Sequence, residues 1–278
     1  MQKWVGGILF AVILLSFSTI PLTPALPQLS FMITPVVKEI QTKPGEKKIY
    51  TLKIINSSES EKKVKLHLYP LDFSLNPQGE IVFFPSNTLK RSASGWLTLN
   101  PSQLTVLGGT TGKVQVSINI PQKAQGGYYT AIAVENVPET SVQEQMGAVT
   151  WRMISMLVLI VQGMNQPAGD IIVDDLAIKA DEPKEEIVFE VTLKNKGDVH
   201  VKTQGILIIE DEDGKKVEEI SFIKGSGTIF PGSVRKFKIN VRKLPPPGKY
   251  VLKVVVKYDS KKETQAQLPF TIREKGRD

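Results

Sequence analysis

Cysteine is absent from the 278 residues, and histidine occurs only twice. Without cysteine there can be no disulfide, no cysteine-based zinc site and no thiol nucleophile, so stability must come from core burial. Of the two histidines, His67 falls between Leu66 and Leu68 on the wet side of a predicted strand, and His200 falls in a predicted loop. With no Cys/His cluster around either, both read as ordinary surface histidines. A G-x-S-x-G elbow, a phosphate-binding glycine loop and paired catalytic carboxylates in a recognisable setting are also missing. The acidic stretch EDEDGKK, Glu210 to Lys216, lacks the continuing pattern of an EF-hand loop. Asp213-Gly214, lying between two apolar strands, instead predicts a hairpin turn. No enzyme, cofactor or metal is expected.

A charge surplus of one sign is lacking as well. The 35 Lys and Arg are interleaved with 28 Asp and Glu, for a net charge of +7. The basic residues of VKLHLYPLDF and VRKFKINVRK alternate with apolar ones, as the solvent faces of strands do, so no nucleic-acid partner is expected.

Long apolar runs are scarce, and the two that exist need separate readings. The first runs from Trp4 to Ile20, behind a single Lys3 and ahead of Thr23-Pro24-Ala25. It predicts a secretory signal peptide over residues 1–25, cleaved after Ala25, which puts the mature chain outside the cytoplasm, periplasmic or at the cell surface. Removing Lys3 with it takes the formal charge from +7 to +6. A membrane partner is expected only if that segment stays uncleaved as an anchor, and none is expected at TIREKGRD. The second run is RMISMLVLIV, Arg152 to Val161, in which eight of the nine residues from Met153 on are apolar. It is too short to span a bilayer, which takes about 20 apolar residues, and it does not alternate like a half-buried strand.

Elsewhere the mature chain alternates with period two. Tyr50, Leu52 and Ile54 share a face, as do Val64, Leu66 and Leu68, then Val114, Val116, Ile118 and Ile120. Ile187, Phe189, Val191 and Leu193 form another row, and Phe237, Ile239 and Val241 another. Such rows predict half-buried antiparallel strands, separated by turn signals at Pro44-Gly45, Asn76-Pro77, Gly108-Gly109, Gly126-Gly127, Pro231-Gly232 and Pro245 to Gly248. No stretch carries an amphipathic helical pattern. The fold class is all-β. The Gly/Pro-rich break at residues 163–169 divides the chain into blocks 26–162 and 170–274, each near the size of an immunoglobulin-like β-sandwich of about 100 residues. Two tandem sandwiches after a signal peptide are expected.

The order PGEKKIYTLKIINSS, GWLTLNPSQLTVLGGTTGKVQVSINIP, GGYYTAIAVENVPE and a long strand ending in MLVLIV resembles the first domain of the periplasmic pilus chaperone family. The second block, VTLKNKGDVHVKTQGILIIEDEDGKKV, resembles the second domain of the WxL-interacting surface proteins of Gram-positive bacteria. The first resemblance implies a non-catalytic assembly factor whose last strand pairs, at an edge, with exported or surface protein subunits. On that reading the spare row Ile154, Met156, Val158 and Ile160 is the client-binding strand. The alternative is that this row is covered from within, by the region Phe73 to Phe84 or by the second domain. The family also implies two cations that anchor a client's carboxylate, an Arg on the first strand and a Lys on the last. Here the first strands offer only Lys38, and the apolar run offers only Arg152. The second resemblance implies an envelope scaffold or adhesion-type protein that binds another surface protein or cell-wall polymer.

Overall fold

A computed structural model describes residues 31–58, 63–138, 150–181, 186–223, 227–241, 245–259 and 262–273. The signal peptide and its cleavage site at Ala25 lie outside them. The described residues form strands, with one short 3-10 turn at Ser94–Trp96. The first ten strands are β1 (Phe31–Thr34), β2 (Val37–Thr42), β3 (Lys47–Asn56), β4 (Val64–Leu75), β5 (Ile81–Phe84), β6 (Leu97–Asn100), β7 (Gln103–Val106), β8 (Thr111–Asn119), β9 (Gly126–Asn136) and β10 (Arg152–Val161). They make a four-stranded sheet, β1-β3-β8-β6, and a six-stranded one, β2-β10-β9-β4-β5 with β7 paired to β4.

The alternating rows meet between these two sheets. Leu52, Ile54, Val114, Val116 and Ile118 from one pack on Leu66, Leu68, Ile132, Val134, Leu157 and Leu159 from the other. Burying each such side chain fully contributes about 1.5–3 kcal/mol. Pro70 lies inside β4 without breaking the sheet. Its missing N–H faces the gap between the end of the β7 pairing at His67 and the start of the β5 pairing at Asp72, where no ladder donor is needed.

The remaining strands are β11 (Ile171–Asp181), β12 (Glu186–Asn195), β13 (Val201–Asp211), β14 (Lys216–Ser221), β15 (Thr228–Ile229), β16 (Val234–Val241), β17 (Gly248–Tyr258) and β18 (Lys262–Ile272). They form the sheets β11-β12-β16 and β14-β13-β17-β18, with β15 paired to β13. Phe189, Val191, Leu193 and Ile239 face Leu207, Ile209, Leu252, Val254 and Val256 in the second core. The expected Asp213-Gly214 turn joins β13 to β14, with Gly214 at φ +76° and the Asp211 carboxylate accepting from the N–H groups of Asp213 and Lys215. The fold is all-β, two tandem immunoglobulin-like sandwiches.

Two chain features shape the edge of the first sandwich and its junction with the second. The chain leaves the first sheet after β1 and joins the second as β2, crossing over at Pro35, so its first ten or so described residues edge both sheets in turn. The stretch Asn195 to His200 also forms a braced turn. The buried Asn195 amide donates to the carbonyls of Val199 and Ile229 at 2.8 and 2.9 Å, and its oxygen accepts from the Gly197 N–H at 2.9 Å. A side chain at Gly197 would meet the Ala168 carbonyl at 2.3 Å, which explains the glycine.

Leu159 is fully buried between the sheets of the first sandwich. Leu159→Ala should lower the unfolding free energy by about 2–5 kcal/mol in urea titration. An unchanged midpoint would show that its row is not core.

Candidate partner-binding surface

Strand β10 has two apolar faces because it has two neighbours. Leu157, Leu159 and Val161, with Trp151 and Met153, enter the first core. The opposite row, Ile154, Met156, Val158 and Ile160, joins a separate cluster with Leu71, Phe73 and Leu75 of β4, Tyr129 and Ala131 of β9, and Phe230 from the second sandwich. Val158 is only 9% exposed, and the other three are half-buried. The alternative reading of this row is thus the observed one over much of its length: Phe73 and the second sandwich cover it.

The edge-strand expectation needs a matching correction. From Met156 to Val161, β10 is an inner strand, antiparallel to β9 on one side and parallel to β2 on the other. Only Arg152 to Ser155 have no strand on the β2 side among the described residues, because β1 has crossed to the other sheet there. Met156 donates to the Val36 carbonyl at 2.8 Å on that side. Backbone groups of alternate residues point the same way in a strand, so the N–H and C=O groups of Arg152 and Ile154 face this open lane. Beside it, apolar side chains are left in water: Met32 is 56% exposed, Val36 56% and Val37 54%.

Lys38 and Arg152 do not form one carboxylate anchor. Lys38 is in register with Leu157 on the core-facing row, while Arg152 belongs to the even row on the opposite face. Five residues of strand, about 17 Å, also separate Arg152 from Leu157. Arg152 is already engaged. Its Nε and Nη2 each lie 2.7 Å from Glu135 Oε2, and its guanidinium sits 5.6 Å from the centre of the Tyr69 ring. The Tyr69 hydroxyl donates to the same carboxylate at 2.7 Å. These two bonds, Tyr69 first and Arg152 second, hold the Glu135 carboxyl below its usual range.

At the other end of the row the two sandwiches meet. The Tyr129 ring stacks on Phe230 with centroids 4.3 Å apart and planes 17° apart, and Phe73 stands edge-on to both. The Tyr129 hydroxyl accepts from the His200 N–H at 2.9 Å and lies 3.3 Å from its Nδ1. Burial pushes the Tyr129 hydroxyl pKa up and the His200 imidazole down, so both are neutral in the junction at neutral pH. His200 is therefore no ordinary surface histidine. It lies in a loop, as expected, but packs edge-on against Tyr129 and Phe230. His67 stays exposed on β4.

Two further ties hold the junction. The Gly127 N–H donates to the Asp198 carbonyl at 2.7 Å. The turn between β4 and β5 reaches β16, where Lys236 N–H donates to Pro77 O at 2.7 Å and Arg235 Nη2 to Gln78 O at 3.3 Å. Gly79, at φ +91°, would place a Cβ 2.2 Å from that guanidinium. Sequence reading carried cover by the second domain only as the alternative and did not name Tyr129, although GGYYTAIAVEN signals it: Tyr129, Ala131 and Ala133 are apolar on one face and Tyr128, Ile132 and Val134 on the other.

Among the described residues no group of three metal-ligating side chains comes together, and no helix is long and apolar enough to cross a membrane. No protein-family model and no curated protein matches the chain. Among solved structures it is similar to the class 5 fimbriae chaperone CfaA, at 15% identity over 87% of this chain and 98% of that one, with a TM-score of 0.46. It is also similar to a chain of the chaperone-tip adhesin complex of CFA/I fimbriae, at 14% identity over 87% and 97%, TM-score 0.47. A third is the E. coli chaperone DraB, at 15% over 86% and 98%, TM-score 0.41. The likeness is one of layout, and it is to the pilus chaperones that the first block resembles.

The two halves of the even row should respond differently to charge. Val158→Glu buries an unpaired carboxylate against Tyr129 and Phe230, which should cost several kcal/mol of the roughly 5–15 that hold a domain together. Ile154→Glu, beside the open lane, should cost about 1 kcal/mol or less. Thermal melts of the two variants check this; equal losses would show that Ile154 is as covered as Val158.

Proposed function

We propose that this chain is a non-catalytic exported protein that binds other exported or surface protein subunits by strand addition, in the manner of a surface-subunit assembly chaperone. One observation carries the reading. On the β2 side the backbone groups of Arg152 and Ile154 have no strand partner among the described residues, the crossing at Pro35 reaching only Ser155, and this lane is flanked by exposed Met32, Val36 and Val37 and continuous with an apolar row that ends at the junction of the sandwiches. An incoming strand in that lane gains hydrogen bonds from Arg152 and Ile154 and apolar contact from Ile154 and Met156, the two sources of affinity in β-augmentation. It also removes an exposed edge that would otherwise invite non-specific pairing. The residues assigned to client contact are thus Arg152, Ile154 and Met156, while Val158 and Ile160 support the junction. The two sandwiches, 26–162 and 170–274 with 163–169 between them, are the units that present this surface. No observation favours the cell-wall polymer reading.

Proline substitutions test the reading with an internal control. The Ile154 N–H faces the open lane, whereas Ser155 faces β9 opposite Ile132. Proline is tolerated where a strand's N–H points to solvent and disrupts where it removes a ladder bond. Ile154→Pro should therefore keep a melt close to that of the parent yet lose the proteins that co-purify with it from its own envelope; Ser155→Pro should unfold early. Retention of those proteins by a folded Ile154→Pro variant contradicts strand addition in this lane.

A further inference from the structure

Strand β5 forms the far edge of the six-stranded sheet, across from β2 and β10, and pairs only with Asp72 to Leu75 of β4. Its sequence is Ile-Val-Phe-Phe, with no charge, and Ile81 is 46% exposed, Val82 36% and Phe83 39%. Other sheet edges in this chain are blunted in the usual ways. Lys216, Glu218 and Glu219 lie on β14, Lys236 and Lys238 on β16, and Pro269 on β18. β5 has none of these protections.

The strand is nonetheless firmly held. At the tip, Asn76 Oδ1 accepts from the Gln78 and Glu80 N–H groups at 3.1 and 2.9 Å, beside the bonds from Lys236 and Arg235. At the base, Asn87 N–H donates to Ser94 Oγ and Thr88 N–H to the buried Asp72 carboxylate, each at 2.8 Å. Asn76 N–H donates to Glu80 O at 2.9 Å, which marks these two as a bonded pair. Bonded pairs alternate along an antiparallel ladder, so Val82 bonds to Ser74, while the N–H and C=O groups of Ile81 and Phe83 point away from β4.

We propose that this edge pairs antiparallel with the same edge of a second copy of the chain, about a two-fold axis at Val82. Only that register lets the outward groups of Ile81 meet those of Phe83 in the other copy, giving four backbone bonds. The segment is its own complement. Each Ile81 faces a Phe83, a favourable pairing of β-branched with aromatic side chain, and the two Val82 side chains touch at the axis. Each Glu80 falls opposite a Phe84, so the two carboxylates stand about 13 Å apart along the ladder, farther than salt lets exposed charges act. The hairpin tips run in opposite directions and carry the second sandwiches away from each other. Both β10 lanes stay on the outer edges. A ladder of four residues buries less than the roughly 1,200 Å² of a stable complex, so the pair is a weak one that forms at high concentration.

The absence of cysteine makes the test specific, because a single introduced thiol has no other partner in the chain. Across a non-bonded antiparallel pair the Cα atoms lie about 4.5 Å apart, within the span of a disulfide. Under mild oxidation Val82→Cys should form a covalent dimer at least tenfold faster than Val217→Cys, an equally exposed position on β14. Sedimentation of the mature chain should show its average mass rising toward twice the monomer between about 10 µM and 1 mM, the range of a weak contact. Phe83→Lys, or Ile81→Lys if the first does not keep the parental melt, should abolish that rise. A monomer mass up to about 1 mM, equal crosslinking at the two cysteines, or capture by Val82→Cys of other envelope proteins alone would overturn the assignment. The inference stands apart from strand addition at β10. Ile154→Pro should lose its envelope partners and keep the rise in mass; loss of that rise in a folded Ile154→Pro variant would overturn the placement at β5.

Discussion

A chain crossing at Pro35 decides what the long apolar strand can do. Had the chain run in the second sheet from Phe31 on, it would have paired with β10 along its whole length and closed that edge. Instead β1 pairs with β3 in one sheet, and β2 takes up β10 in the other only from Met156 onward. Among the described residues the start of β10 is left without a strand on that side, with Ser155 bonded to the Pro35 carbonyl at 2.7 Å, and the apolar side chains at the crossing, Met32, Val36 and Val37, are exposed. Strand edges of this kind are normally blunted with charge or covered, because unpaired backbone groups recruit other strands. Here the lane is bordered by apolar residues, which suits it for a partner.

The second constraint is the aromatic junction. Tyr129, Phe230 and Phe73 fill the space where the even row of β10 would otherwise face water, and the Tyr129 hydroxyl is satisfied by the backbone N–H of His200. A buried hydroxyl without such a bond is costly, so the polar tie and the apolar stack depend on each other. With the turn before β5 gripping Arg235, the junction joins the sandwiches through both a strand face and a hairpin tip. It also places Lys90 and Arg91 of the first sandwich around one cleft with Lys194 and Lys196 of the second.

Much of the fold could be read from alternation, since Leu52, Val116, Phe189 and Ile239 each sit in rows whose polar partners mark the solvent side. In RMISMLVLIV no polar partner marks the solvent side, and the conflict of parity marked a strand with two apolar faces without saying what meets the second. The identity of the second cover was not readable. Phe230 lies 70 residues beyond Ile160, before a Pro-Gly turn that gives no hint of where its ring points. Whether a strand is an edge is likewise a property of its neighbours: nothing within LSFMITPVVKEI states that the chain changes sheets, and so the open lane was assigned to all of β10 instead of its first four residues. Lys38 and Arg152 were paired as the nearest cations to hand, whereas register sets them on opposite faces. The gathering of Lys90, Arg91, Lys194 and Lys196 escapes a linear reading, because within its own segment each is one basic residue beside a polar neighbour.

The most direct measurement of the central claim is hydrogen exchange at the Ile154 amide, with Met156 two residues on as its reference. In the mature protein alone, Ile154 should exchange far faster than Met156, whose N–H is bonded to Val36. In the complex recovered from the protein's own envelope, Ile154 should slow toward the rate of Met156. Protection of Ile154 in the free protein, or fast exchange that persists in the complex, would contradict strand addition at this lane.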